Sequence, residues 1–142
     1  MILFFSETKF DFIFTSSFKK WLKEIAKQEK KKIGDVNIVF YNDEQLSALN
    51  KQYLNHNSLT DIITFDYSEK NILHGDICIS IERVRENAIK FHASFEEELL
   101  RVMGHGLLHL CGYKDKNKED KMLMKQKEVE MLKVFKARLN EW

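Results

Sequence analysis

Gly75-Asp76-Ile77-Cys78-Ile79-Ser80-Ile81 alternates strictly, with Ile77, Ile79 and Ile81 on one side and Asp76, Cys78 and Ser80 on the other. Period-two alternation predicts a strand with one buried face. At Glu82 the period changes: Val84, Ala88 and Ile89 make the stripe of a helix. On the N-terminal side, residues 61–67 (DIITFDY) are rich in β-branched and aromatic types and predict a strand. Residues 36–41 alternate as a further strand, with Gly34-Asp35 as its turn signal. Between these lies a short helix through Leu46, Leu49 and Tyr53, for which Asp43 is the expected cap. From about Ser16 to Lys31, Phe18, Leu22, Ile25 and Ala26 share one helical face. Residues 2–5 read as the first strand, and 10–14 as its extension or partner. On the C-terminal side, Ser94 to Glu97 has the form of a capping box. It opens a helix through Phe95, Leu99, Val102, Met103, Leu107 and Leu110 to Gly112. A last helix starts near Asn117 and carries Met124, Leu132 and Phe135. Strands early and helices late predict an α+β fold: a small mixed sheet of about four strands against a layer of about five helices, as one domain over residues 1–142.

Composition narrows the class. With 44% hydrophobic and 32% charged residues the chain reads as an ordinary globular domain. No apolar run reaches the roughly 20 residues a membrane helix needs. Met1 to Phe5 is apolar but has no basic lead and runs at once into Ser6-Glu7, which reads as a strand and not a signal peptide, so the cytoplasm is the expected location. Cys78 and Cys111 make no disulfide framework. A net charge of +1 neither favours nor excludes nucleic acid, because a binding face needs local positive charge.

The chemistry concentrates in one segment: His105-Gly106-Leu107-Leu108-His109-Leu110-Cys111-Gly112-Tyr113-Lys114-Asp115. Helical positions i and i+4 stack, so His105 and His109 can aim both imidazoles at one point. Helical zinc hydrolases use this spacing for two of three ligands. His-x-x-x-His alone is a weak signal; here a helix-ending glycine and a carboxylate follow it. Gly112 can take the left-handed conformation that reverses the chain, after which Asp115 can reach the same point. Two imidazoles and one carboxylate form a catalytic zinc set with a fourth position for water, whose pKa falls towards ~7. A peptidase of the His-Glu-x-x-His type places its general base after the first histidine; here that place is Gly106.

The segment resembles the YbeY family of bacterial endoribonucleases, whose signature runs His-Gly-x-Leu-His-Leu-x-Gly-Tyr-Asp-His. Nine of the eleven places match, counting the two free ones; Lys114 and Asp115 stand where the family has aspartate and a third histidine. Leu49-Asn50-x-x-Tyr53, Thr60-Asp61-Ile62-Ile63-Thr64-Phe65 and Gly75-Asp76-Ile77-Cys78-Ile79-Ser80 resemble further family blocks in the same order. The resemblance implies a metal-dependent endonuclease of single-stranded RNA, acting on the 3′ end of small-subunit ribosomal RNA. It implies Zn2+ as cofactor and the small ribosomal subunit as partner. Within it His105, His109 and Asp115 are the expected ligands. Asp76 is the expected outer acceptor for a ligand imidazole, and Lys114, Tyr113 and His74 are candidate substrate contacts. Leu54 stands where the family carries an arginine linked to cleavage, and His56 and Lys114 are candidate replacements. Exchanging a third imidazole for Asp115 lowers the site's charge from about +2 to about +1 and opens it to Mn2+ or Ni2+. Two other classes stay open: a hydrolase of peptides or esters, and a non-catalytic ribosome-associated protein with a structural zinc closed by Cys111 or His74.

Overall fold

The alternating run at residue 75 lies inside the strand that organises the sheet. The computed structural model describes residues 1–13, 15–55 and 60–142. Its strands are β1 (Ile2–Ser6), β2 (Lys32–Tyr41), β3 (Ile62–Asp66) and β4 (Ile72–Ser80). Its helices are α1 (Thr15–Gln28), α2 (Asp43–Leu54), α3 (Ile81–Lys90), α4 (Phe95–Leu110) and α5 (Lys118–Arg138), followed by a 3-10 turn at Leu139–Glu141. The sheet order is β1-β2-β4-β3. β1 and β4 flank β2 in parallel, and β3 closes the other edge antiparallel to β4. The fold is therefore α+β with a four-stranded mixed sheet.

Pleating sorts the two faces. Val36, Ile38 and Phe40 of β2 and Leu73, Ile77 and Ile79 of β4 point into the main core, with Trp21 and Leu22 of α1, Leu107 of α4 and Phe135 of α5. On the other face, Leu46 of α2 packs with Ile63 and Cys78 of the sheet in a second, smaller buried cluster. Burial pushes the Cys78 thiol up to about 12, with Asp76 adding to the shift, so it stays a neutral apolar filler. None of the described helices is long and apolar enough to cross a membrane.

Three local expectations are corrected. Residues 10–13 form no strand; Phe14 lies outside the described residues. Their alternating phenylalanines pack instead as rings: Phe12 lies 4.9 Å from Phe18, and Phe10 lies 5.1 Å from Phe40. Gly34-Asp35 is no turn but an irregularity inside β2, where the register with β4 shifts between Ile33 and Val36. The His74 ring lies across it: a Cβ on Gly34 would come 2.3 Å from His74 Cε1, and the Asp35 N–H donates to His74 Nδ1 at 3.0 Å. The reversal before β2 is made at Lys30, with φ of 59°. The cap of α2 is Asn42, in a reciprocal box with Gln45. Asp43 instead accepts from the Ser80 hydroxyl at 2.6 Å and pairs with Arg83 at 3.1 Å, tying α2 to α3.

Candidate metal centre

α4 is buried along most of its length and presents His105 and His109 at the edge of the core. Gly106 faces the sheet at its closest approach: a Cβ there would lie 2.7 Å from Ile77 Cγ2 and 2.9 Å from Ile62 Cδ1. A glutamate at this position would enter the sheet packing, so this fold has no room for a peptidase-type base after the first histidine. The helix ends as a Schellman motif. The Tyr113 N–H donates to Leu108 O and the Gly112 N–H to His109 O, both at 3.0 Å. Gly112 sits at φ 106° with open space where a Cβ would be. Gly112→Ala is therefore expected to lose about 1–2 kcal/mol through backbone strain alone. Urea unfolding checks this, with weaker metal binding as the second readout because the reversal carries Asp115.

The reversal brings three acceptors together. The ligand atoms of His105, His109 and Asp115 lie within 4.8 Å of one another. The two Nε2 atoms face each other at 2.9 Å, and His105 Nε2 is 3.7 Å from Asp115 Oδ2. The partners of the opposite ring nitrogens put a hydrogen on each Nδ1. His109 Nδ1 lies 2.9 Å from Tyr113 O, a carbonyl that only accepts, so Nδ1 carries the hydrogen. His105 Nδ1 lies 3.1 Å from Glu128 Oε2. Burial pushes the Glu128 carboxyl up, but hydrogen bonds from His105 and Arg101 outweigh it and hold it below the usual glutamate range, so it accepts as an anion. With both rings neutral, as metal binding requires, the two Nε2 lone pairs point at one spot beside a carboxylate oxygen. Acceptors converge in this way where a cation sits between them, and the donor set suits a divalent ion such as zinc.

Behind His105 lies a buried ionic network. Arg101 donates to Glu98 at 2.8 and 2.6 Å and to Glu128 at 2.9 Å, and reaches Asp61 at 3.5 Å. Glu98 and Glu128 are buried polar groups of the core. This network went unread in the sequence, although a signal was there. Met124, Glu128, Met131 and Phe135 are the buried residues of α5, so one carboxylate interrupts an apolar stripe.

The remaining expected site residues separate. Asp76 does not serve a ligand imidazole: its carboxylate accepts from Asn37 Nδ2 at 3.0 Å on the opposite face of the sheet, where alternation puts it. Glu128 and Tyr113 O take the outer positions. The Tyr113 side chain turns away from the ligands and donates to Glu29 Oε1 at 2.6 Å, so Tyr113 serves the centre through its carbonyl. His74 is committed to the irregularity in β2. Lys114 lines the cleft over the histidines, a cavity of about 920 Å³, with Leu54, Asp61, Asp66, Arg101 and Lys116. His56 lies outside the described residues. Cys111 is not among the side chains that converge with His105, His109 and Asp115, and burial pushes its thiol up to about 12.

Burial, and then the neighbouring His105, lower the His109 pKa below the ordinary histidine value of ~6.5. In the metal-free protein the unfolded chain then binds more protons than the folded one between the two values. His109's contribution to stability is thus intact above ~6.5 and is lost as pH falls towards the folded value. Urea midpoints of metal-free protein should fall over this window, and the fall should shrink in His109→Ala. Equal pH slopes in both proteins would contradict the assignment.

A mixed sheet beneath a helix that presents two imidazoles and a carboxylate at a cleft defines a class: an α+β domain with a candidate metal centre at the end of a buried helix. Comparison with known proteins makes the class specific. The family model described as Endoribonuclease YbeY matches residues 4–136. A protein called endoribonuclease YbeY from Flavobacterium psychrophilum is 51% identical over 140 residues, covering 99% of this chain and 100% of that one. One of the same description from Flavobacterium johnsoniae is 49% identical over 135 residues, covering 95% and 97%. The solution structure of TM1509 from Thermotoga maritima superposes with a TM-score of 0.70 at 29% identity, covering 99% of this chain and 93% of that one. The chain belongs to the YbeY endoribonuclease family.

Proposed function

We propose that this chain is a metal-dependent nuclease that cuts single-stranded RNA, acting as one domain in the cytoplasm on the 3′ end of small-subunit ribosomal RNA and in ribosome quality control. The observation that carries this reading is the convergence of His105 Nε2, His109 Nε2 and the Asp115 carboxylate within 4.8 Å at the floor of an open cleft. Family membership supports the nuclease part. In this reading His105, His109 and Asp115 hold one zinc ion, with manganese or nickel as substitutes. Such an ion supplies Lewis-acid chemistry, polarising a phosphoryl oxygen and making water a stronger acid near neutral pH. The chain's own residues do the rest. Glu128 and Tyr113 O hold the two Nδ1 protons, which fixes both tautomers and aims both Nε2 lone pairs. Lys114 and Lys116, on the cleft wall, neutralise phosphate charge as the strand enters. With Leu54 on that wall, these lysines take over the charge an arginine supplies elsewhere in the family.

The test is cleavage of end-labelled RNA carrying the small-subunit 3′ region, as a single strand and as a duplex, beside a peptide panel. The single strand should be cut at internal bonds, the duplex much more slowly and the peptides not at all. Peptide turnover without RNA cutting would sink the reading in favour of another hydrolase. Metal binding with no turnover of any substrate would favour a structural centre.

A further inference from the structure

The cleft is not the end of the positive surface around the histidines. Lys114 and Lys116 line it, and Lys116 also borders a second hollow of about 350 Å³ formed with Lys118, Lys121, Met122 and Lys125. Residues 118, 121 and 125 follow i, i+3, i+7 spacing, so these lysines stand on one face of α5, spread over about 10 Å of helix. Lys121 and Lys125 also line the cavity that holds His105, Asp115 and Glu128, so the row borders the candidate centre. All five lysines are exposed. The lysine ion pairs of the C-terminal half fall elsewhere, on Lys127 and Lys136. Among the described residues none of the five shares an ion pair, which leaves their ammonium groups free to meet an anion. Exposed Met122, within the row, offers an apolar surface between the ammonium groups.

We infer that the lysine face of α5 is a track for one flank of the RNA strand whose scissile phosphate lies in the cleft; this rests on the nuclease reading above. A polyanion matches the row because its charges repeat along a line, as the lysines do. A single strand is favoured over an anionic membrane because the row runs into a concave cleft, which a flat surface cannot enter.

The test uses the metal-loaded full chain and the triple variant Lys118→Gln, Lys121→Gln, Lys125→Gln. Binding of a single-stranded RNA of roughly 20 nucleotides, longer than the cleft can hold, is measured across a sodium chloride series. Three lost phosphate contacts should flatten the log–log salt slope by about 2 and weaken low-salt binding roughly tenfold or more. A trinucleotide that fills only the cleft should lose much less in kcat/KM than the long RNA loses in binding, and the variant should still bind one metal ion per chain. An unchanged slope for the long RNA, or equal losses on both RNAs, would overturn the track while leaving the nuclease reading standing. Loss of binding to phosphatidylserine vesicles with RNA binding intact would also overturn it. A wild-type chain that binds no single-stranded RNA would overturn both.

Discussion

His109→Ala should take the protein from one bound divalent ion per chain to none and lower RNA cutting by about 10³-fold or more. The magnitude follows from the chemistry removed. A Lewis acid at a phosphoryl centre supplies several kcal/mol of stabilisation, and each 1.4 kcal/mol is about tenfold in rate. His109 contributes one of three converging acceptors, and its ring is oriented by Tyr113 O at 2.9 Å. The fold should survive. His109 is only partly buried, and the lost hydrogen bond is worth about 1 kcal/mol. Elemental analysis, circular dichroism and an RNA cleavage assay on one preparation separate these outcomes. A variant that keeps its fold, loses its metal and still cuts RNA at the wild-type rate would remove the metal from the account.

Arg101→Leu is expected to be the most damaging single change away from the ligands. Arg101 is the shared partner of two buried carboxylates, Glu98 and Glu128. Its hydrogen bonds to Glu98, and then those to Glu128, hold the guanidinium charged against a desolvation that opposes them. Removing one member of such a network leaves uncompensated buried charge, which costs about 3–5 kcal/mol. The damage should also reach the centre. Glu128 would lose the partner that helps keep it ionised and would orient His105 less firmly, weakening metal affinity by about 10–100-fold. Urea unfolding and metal competition against a chromophoric chelator read the two effects separately. A loss below about 1 kcal/mol would show that the network is solvated and contributes little.

The convergence of His105, His109 and Asp115 was legible because its logic is local. Two histidines four apart on a strongly apolar stretch, a glycine after it and an acid beyond the glycine are each set by helix period and turn chemistry. The reversal at Gly112 then brings Asp115 to 3.7 Å from His105. The sheet was legible for a similar reason, since alternation in β2 and β4 reports directly which side is buried. What escaped depends on contacts between distant parts of the chain. Gly34-Asp35 carries a turn signature, but the ring that needs the glycine there belongs to His74, 39 residues beyond Asp35. Phe10 and Phe12 alternate like a strand, yet they satisfy their burial by ring packing in place of pairing. Glu128 is 23 residues from His105, and only the crossing of α5 over α4 makes it an orienting group. Asp76 shows the limit of a familiar block: its neighbours in sequence fix which face it occupies, and that face is not the one with the histidines.

The most direct measurement is a crystal structure of the protein grown with zinc, with anomalous data collected at the zinc edge. One ion is predicted, with the Nε2 atoms of His105 and His109 at about 2.0–2.1 Å, an Asp115 oxygen at about 2.0–2.2 Å and no fourth protein ligand. An ion bound elsewhere, an Asp115 carboxylate turned away from the two rings, or a fourth side chain completing the tetrahedron would contradict it.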